Sequence, residues 1–334
     1  YMNLLYEKMS EYLEAREKND LTLSLYIDYP FCISNCTYCI YNSLSFDIEM
    51  AREYEKALLK RLSLFESLFN NYQVDTLYFG GGTPSLLSFD SLIKIKKLIP
   101  NYDKIKAIKT EVHPKDMDVE RIEFYSKEMN FDIISLGVQS FDKNSCINQK
   151  RIFIDADNIA RIVYELKKRN IWVNIDLVAL FGGDAEDYWK VFEDDLSIAC
   201  EFVLPDVITT VINYRTKLNY IDQLIRFRNI LKTECDKTQY IPPKDVLLNI
   251  DYDSRKKYGK NDHWLGTSDY WQYFRTHCRY SCSGPKGGIN KKQITIAIGG
   301  AGKHKVYSYN PDGTVIYSYY SFERKKFVDE VVKI

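Results

Sequence analysis

The chain has 334 residues, enough to bury a large core, and its 46 Lys and Arg balance its 46 Asp and Glu, so no global field draws it to nucleic acid or to an anionic membrane. No apolar run reaches the length of a membrane span, and residues 1–20 are too rich in Glu and Lys for a signal peptide; together these predict a soluble, cytoplasmic protein. Of the eight cysteines, three crowd into one short segment, which points to metal rather than disulfides in a chain of this size.

In chain order, residues 3–18 set Leu4, Leu5, Met9, Tyr12 and Leu13 among charges, the pattern of a surface amphipathic helix over 1–20. Short β-branched and aromatic runs follow at 21–27, 74–79, 105–112, 131–138, 172–177 and 207–212. They are largely apolar on both faces, as strands of a covered parallel sheet are. Helical segments separate them at 48–70, 89–99, 119–129, 155–169 and 188–200. Six such units predict an α/β fold, a partial (β/α)6 barrel of the TIM type over 21–215, with its chemistry at the C-terminal ends of the strands. Beyond residue 215 the alternation stops. Residues 216–334 are expected to form a small α/β lobe over the barrel mouth, with loops at Pro242-Pro243 and 283–292 and strands at 294–298 and 315–320.

The strongest chemical signal is Cys32-Ile-Ser-Asn-Cys36-Thr-Tyr-Cys39, directly after the first strand. Soft thiolates at this spacing suit an iron–sulfur cluster or zinc. A structural zinc site needs a fourth Cys or His close to the loop, and none is there. Three thiolates on a [4Fe–4S] cluster leave one iron open to a further ligand.

The Cys-x3-Cys-x2-Cys spacing, with Tyr38 before the third cysteine, resembles the radical S-adenosylmethionine (SAM) superfamily. The motifs behind it resemble the superfamily's oxygen-independent coproporphyrinogen III oxidase-like branch, which also holds heme chaperones and class C methyltransferases. They are Tyr78-Phe-Gly80-Gly81-Gly82-Thr83-Pro84-Ser85, Glu111-Val-His113-Pro114, Ser135-Leu-Gly-Val-Gln139-Ser-Phe141, Arg151, Asn174-Ile-Asp176, and a late strand with Gly299, Gly300 and Gly302. The resemblance implies that Cys32, Cys36 and Cys39 hold a [4Fe–4S] cluster that passes one electron to SAM, giving a 5′-deoxyadenosyl radical. It implies SAM contacts from Tyr26, Tyr38, Tyr41, Gly80, Gly81, Gly82, Thr83, Glu111, Gln139, Arg151, Asp176, Gly299 and Gly300. Glycines after a strand let backbone approach the methionine arm, Glu111 accepts from ribose hydroxyls, and Arg151 pairs a carboxylate. Taken singly, each also has a plainer reading: a tight turn, a solvated charge, a barrel-floor hydrogen bond.

Four positions depart from the branch. Asp28 stands where it has His, Tyr41 where the oxidases have a further Cys, and His277-Cys-Arg-Tyr-Ser-Cys282 where the chaperones have His-Asn-x-x-Tyr-Trp. The stretch Leu177-Val-Ala-Leu-Phe-Gly-Gly183 replaces a Gly-Leu-Pro turn. Porphyrinogen decarboxylation and heme delivery both lose weight on this account. The expected reaction is class C-like methyl or methylene transfer to an unsaturated or heteroaromatic small molecule, with one or two molecules of SAM and an electron donor such as flavodoxin or ferredoxin. The alternatives are a porphyrin-directed oxidase or heme-opening enzyme, and a heme-binding chaperone. His277, Cys278 and Cys282 are the one candidate for a second metal; Cys146, Cys200 and Cys235 read as structural.

Overall fold

The computed structural model describes residues 21–39, 43–182, 187–213, 220–238, 240, 264–267, 292–298, 303–309 and 315–321. The helix expected over 1–20 lies outside them, as do most of the 216–334 lobe and the candidate positions Tyr41, His277, Cys278, Cys282, Gly299 and Gly300.

Six parallel strands form the heart of the molecule: β1 (Leu21–Tyr29), β2 (Val74–Gly81), β3 (Ala107–Val112), β4 (Ile133–Gln139), β5 (Trp172–Ala179) and β6 (Val207–Ile212). They pair in sequence order, β1 with β2 and on through β5 with β6. Between them run α1 (Ile48–Ser63), α2 (Glu66–Asn71), α3 (Phe89–Leu98), α4 (Val119–Lys127), α5 (Lys143–Asn148), α6 (Ala156–Lys167) and α7 (Asp187–Ser197), and α8 (Tyr220–Lys237) follows β6. A short strand, β7 (Trp264–Thr267), extends the sheet beside β6. On the other side β8 (Lys292–Ile298) lies parallel to β1, and β9 (Lys303–Tyr309) and β10 (Val315–Ser321) complete an antiparallel edge. The order β10-β9-β8-β1-β2-β3-β4-β5-β6-β7 never closes on itself, so the barrel is partial.

The strands form where they do because they are covered on both faces. All eight residues of β2 are buried, and so are Leu23, Leu25 and Ile27 of β1. Each fully buried Leu, Ile, Val or Phe contributes about 1.5–3 kcal/mol of transfer free energy. Helix starts are marked by short polar caps. Asp47, Ser88, Asp118, Asp142 and Asp155 each accept a backbone N–H from the first turn of α1, α3, α4, α5 and α6.

The single helix expected over 48–70 is two helices. The chain turns at Phe65, whose ring is fully buried, so α1 and α2 each lay an apolar face on the core. The helix expected over 188–200 ends in a wider turn, a π-helical stretch at Ile198–Val203 closed by Leu204 in the left-handed region. A buried carboxylate fastens α1 to α3: Glu55 accepts from the Ser91 hydroxyl at 2.6 Å and the Ser88 N–H at 3.2 Å.

Candidate active site

The cysteine loop leaves β1 at Pro30 and returns through a two-residue pairing of Phe31–Cys32 with Leu44–Ser45. Its root is rigid. Tyr29, Phe31 and Tyr54 pack edge to face at 5.3–5.9 Å, and the Tyr54 hydroxyl donates to the Asp28 carbonyl at 2.7 Å. On its far side Thr37 N–H donates to the Gln149 carbonyl at 3.1 Å, which ties the loop to the segment after α5.

Each of two thiols has a positioned neighbour. The Thr83 hydroxyl donates to Cys32 Sγ at 3.2 Å, and Arg151 Nη1 lies 3.8 Å from Cys36 Sγ. Arg151 also donates to the Tyr38 hydroxyl at 3.1 Å and to the Gly137 carbonyl. Tyr38 is wedged edge to face on Phe181 at 4.7 Å, and burial raises its hydroxyl pKa far above the usual phenol range.

These groups face a cavity of about 390 Å3 at the C-terminal ends of the strands, a size suited to a cofactor-sized ligand. Cys32, Cys36, Cys39, Tyr38, Gly81, Gly82, Thr83, Glu111, Gln139, Arg151 and Asp176 all line it. Tyr26 and Gly80 do not. Tyr26 stacks on Tyr78 at 5.3 Å, and a Cβ at Gly80 would come within 2.5 Å of the Tyr26 hydroxyl, so Gly80 makes room for that ring pair. Gly81 has φ +117°, a conformation closed to other residues, and a side chain there would strike Asp28 Oδ1 and the Tyr29 backbone. Gln139 reaches the cavity from a bulge at the end of β4, with φ +74°.

The floor is a polar network. Asn174 donates to Ser135 Oγ at 2.7 Å and to Asp176 Oδ1 at 2.9 Å, Ser135 donates to Asp176 Oδ2 at 3.1 Å, and Thr209 donates to Asn174 Oδ1 at 2.8 Å. Tyr78 donates to Glu111. Burial, and then the nearby Glu111 carboxylate, push Asp176 up to about 6. Ser135 and Asn174 lie within the motifs that carry the resemblance, two residues before Gly137 and Asp176 on their strands, although the resemblance assigns them no SAM contact. His113 also lines the cavity. Its Nδ1 accepts the Lys115 N–H at 3.1 Å, and burial, with Arg151 and Lys115 behind it, holds the ring neutral with a pKa of about 3.

The donor set, soft thiols at Cys32, Cys36 and Cys39 opening on the cavity, fits an iron–sulfur cluster. Three separate thiols opening on one cavity suit a polynuclear centre whose irons each take one of them. Cys146 and Cys200 are buried and apart from this set, and burial raises the Cys146 thiol to about 12.

Comparison with known proteins gives a consistent result. The family model described as the Radical SAM superfamily matches residues 26–195. A heme chaperone HemW from Buchnera aphidicola subsp. Acyrthosiphon pisum is 33% identical over 186 residues, 53% of this chain and 48% of its own length. An oxygen-independent coproporphyrinogen III oxidase from Helicobacter pylori is 34% identical over 134 residues, 37% of this chain and 28% of its own. The chain thus spans about half the length, or less, of these relatives. Among solved structures, coproporphyrinogen III oxidase from Escherichia coli superposes with a TM-score of 0.68 at 18% identity, over 97% of this chain and 72% of its own. At that identity the likeness speaks for the fold.

Proposed function

Because the chain belongs to the radical SAM superfamily, whose cofactors are a [4Fe–4S] cluster and SAM, we propose that it is an enzyme that cleaves SAM reductively and acts on a small molecule in the cavity above β1–β6. The observation that carries this is the convergence of Cys32, Cys36 and Cys39 with Thr83, Glu111, Gln139, Arg151 and Asp176 on one cavity. Together the cluster and SAM supply a 5′-deoxyadenosyl radical for hydrogen-atom abstraction.

The chain's own residues bind, orient and shield. The Thr83 hydroxyl and the Arg151 guanidinium steady the sulfurs of Cys32 and Cys36. Arg151 sits beside the cluster loop, where it can also pair the SAM carboxylate. Glu111, Gln139 and Asp176 offer hydrogen-bond partners to ribose hydroxyls. Gly81 and Gly82, which line the cavity, offer backbone to the methionine arm. Tyr38, backed by the buried Phe181, supplies a wall for the adenine and keeps water from the reacting atoms. Tyr41, Gly299 and Gly300 are proposed as further contacts from outside the described residues. The division that accompanies this reading is a helix at 1–20, the barrel at 21–215 and a covering lobe at 216–334.

For the reaction, we propose class C-like methyl or methylene transfer to an unsaturated or heteroaromatic substrate, with a second SAM near Gly299–Gly302. Its support is the sequence: Tyr41 replaces the oxidases' extra Cys, and His277-Cys-Arg replaces the chaperones' motif. The relatives named above keep two other readings in play, a porphyrin-directed oxidase and a heme chaperone. Product analysis tests the choice. S-adenosylhomocysteine beside 5′-deoxyadenosine supports transfer, 5′-deoxyadenosine alone supports oxidation, and tight heme binding without either product supports the chaperone.

A further inference from the structure

His113 lines the cavity and yet has no part in the proposed binding of the cluster or of SAM. It follows β3 and opens the short turn Pro114–Asp116. Its Nδ1 accepts the Lys115 N–H at 3.1 Å, so the proton of the ring sits on Nε2. That Nε2 is buried and meets no acceptor among the described residues. A buried donor left unpaired costs about 1–3 kcal/mol, a cost that an acceptor on a bound molecule removes. The ring is a neutral donor across the physiological range, because burial, and then the charges of Arg151 and Lys115, hold its pKa at about 3.

Lys115 lines the same cavity and is exposed. Its ammonium has no ion pair or hydrogen bond among the described residues. The carboxylates on the cavity wall are engaged elsewhere: Asp116 accepts from Ser85 at 2.6 Å, Asp176 from Ser135 and Asn174, and Glu111 from Tyr78. The turn after β3 thus presents one neutral N–H and one unneutralised cation. A neutral acceptor needs only the first of these. An anion uses both, and a carboxylate has an oxygen for each. Ile33, Ile152, Val178, Val211 and Ile212 also line the cavity and supply apolar wall. The carboxylate and ribose of SAM are already matched by Arg151, Glu111, Gln139 and Asp176, which leaves the His113 and Lys115 donors to the second ligand.

We infer that His113 Nε2 and the Lys115 ammonium are the specificity contacts for the substrate, and that the substrate joins an apolar, unsaturated body to a carboxylate held by these two donors. The inference rests on the reading that the cavity takes SAM and a small molecule together. A site whose buried donor goes unpaired with the wrong ligand discriminates sharply against an analogue that lacks the acceptor.

The test uses the reconstituted, SAM-loaded protein and two matched probe pairs, 2-naphthoate with 2-naphthamide and cinnamate with cinnamamide, with affinities read by calorimetry. The wild type is expected to bind at least one carboxylate about tenfold or more tightly than its amide. His113→Leu and Lys115→Gln are each expected to cut that preference to about twofold or less, with SAM affinity within about twofold of wild type. His113→Gln, which keeps an N–H near the place of Nε2, is expected to retain more of the preference than His113→Leu. Lys115→Gln leaves the turn intact, since the bond to Nδ1 uses the backbone N–H. A wild type that loads iron and binds SAM but prefers neither carboxylate would overturn the inference while leaving the radical SAM reading in place. Variants that lose SAM affinity as steeply as probe affinity would overturn it too, because they assign the two donors to the cofactor. A wild type that binds no SAM would overturn the reading on which the inference rests.

Discussion

Gly81 holds φ at +117°, and a methyl group there would lie 2.5 Å from Asp28 Oδ1 and 2.8 Å from the Tyr29 carbonyl. Gly81→Ala therefore meets both backbone strain and a clash against the root of the cysteine loop. We expect it to lose about 1–3 kcal/mol of stability, read as a lower denaturant midpoint, together with weaker SAM binding. Arg151→Ala removes the side chain that bridges Cys36, Tyr38 and Gly137. SAM affinity is expected to fall by about 1.5–3 kcal/mol, and an unchanged affinity by calorimetry would remove Arg151 from the site. Asp195 gives a pH-dependent case. It is buried in α7, accepts the Phe141 N–H at 2.6 Å, and is pushed up from 3.8 to about 7, chiefly by burial. The folded state thus holds this proton more tightly than the unfolded chain. The associated stability is complete below about pH 4 and is lost as the pH rises through 7. Asp195→Asn keeps the acceptor for Phe141 and cannot ionise. It should match wild type near pH 3 and exceed it near pH 8 by on the order of 2–4 kcal/mol, measured by urea unfolding at the two pH values. A constant difference between them would show that Asp195 does not titrate with folding.

At the scale of elements, the six strands of the barrel were legible because both of their faces are buried, so the sequence shows largely apolar, β-branched and aromatic runs such as Val74–Gly81, in which only Asp75 and Thr76 are polar. Helices α3, α4 and α6 were legible from a Ser or Asp cap followed by apolar spacing. Two of the elements that escaped lack such a stripe, whereas α8 escaped although it buries Phe227 and Leu231. Helix α5 is six residues long and buries only Ser145 and Cys146, and β9 (Lys-His-Lys-Val-Tyr-Ser-Tyr) has no apolar run. The break at Phe65 was hidden because a buried aromatic reads the same inside a helix as at its end. In the candidate site, Cys32, Cys36, Cys39, Gly81 and Gly82 stand out by spacing and line the cavity, whereas Gly80 does not. Ser135 and Asn174 lie within the motifs of the resemblance, but their bonding with each other and with Thr209 comes from neighbouring strands brought into register. Glu55 makes an element-scale prediction: it receives Ser88, Ser91 and Tyr29 and joins α1 to α3. Glu55→Ala leaves those buried donors unpaired and should cost about 2–4 kcal/mol, with little change in SAM affinity per folded molecule.

Across the whole molecule, the cysteine loop depends on parts of the chain far from it in sequence. β1, which carries the loop, is held on one side by β2 and on the other by β8, residue against residue from Leu21 with Lys292 to Ile27 with Ile298. Ending the chain at residue 291 strips that flank and exposes a long apolar strand edge. Such a truncation is expected to aggregate or to fail to load iron, and a soluble, iron-loaded product would show that β8 is dispensable. No described helix is long and apolar enough to cross a membrane. The account's central claim, SAM cleavage at a cluster held by Cys32, Cys36 and Cys39, is tested most directly by adding SAM and dithionite anaerobically to the reconstituted protein and analysing the adenosyl products by mass spectrometry. The account predicts 5′-deoxyadenosine from the wild type and none from Cys36→Ala. A wild type with its full complement of iron that releases none, or a Cys36→Ala variant that releases a normal amount, would contradict it.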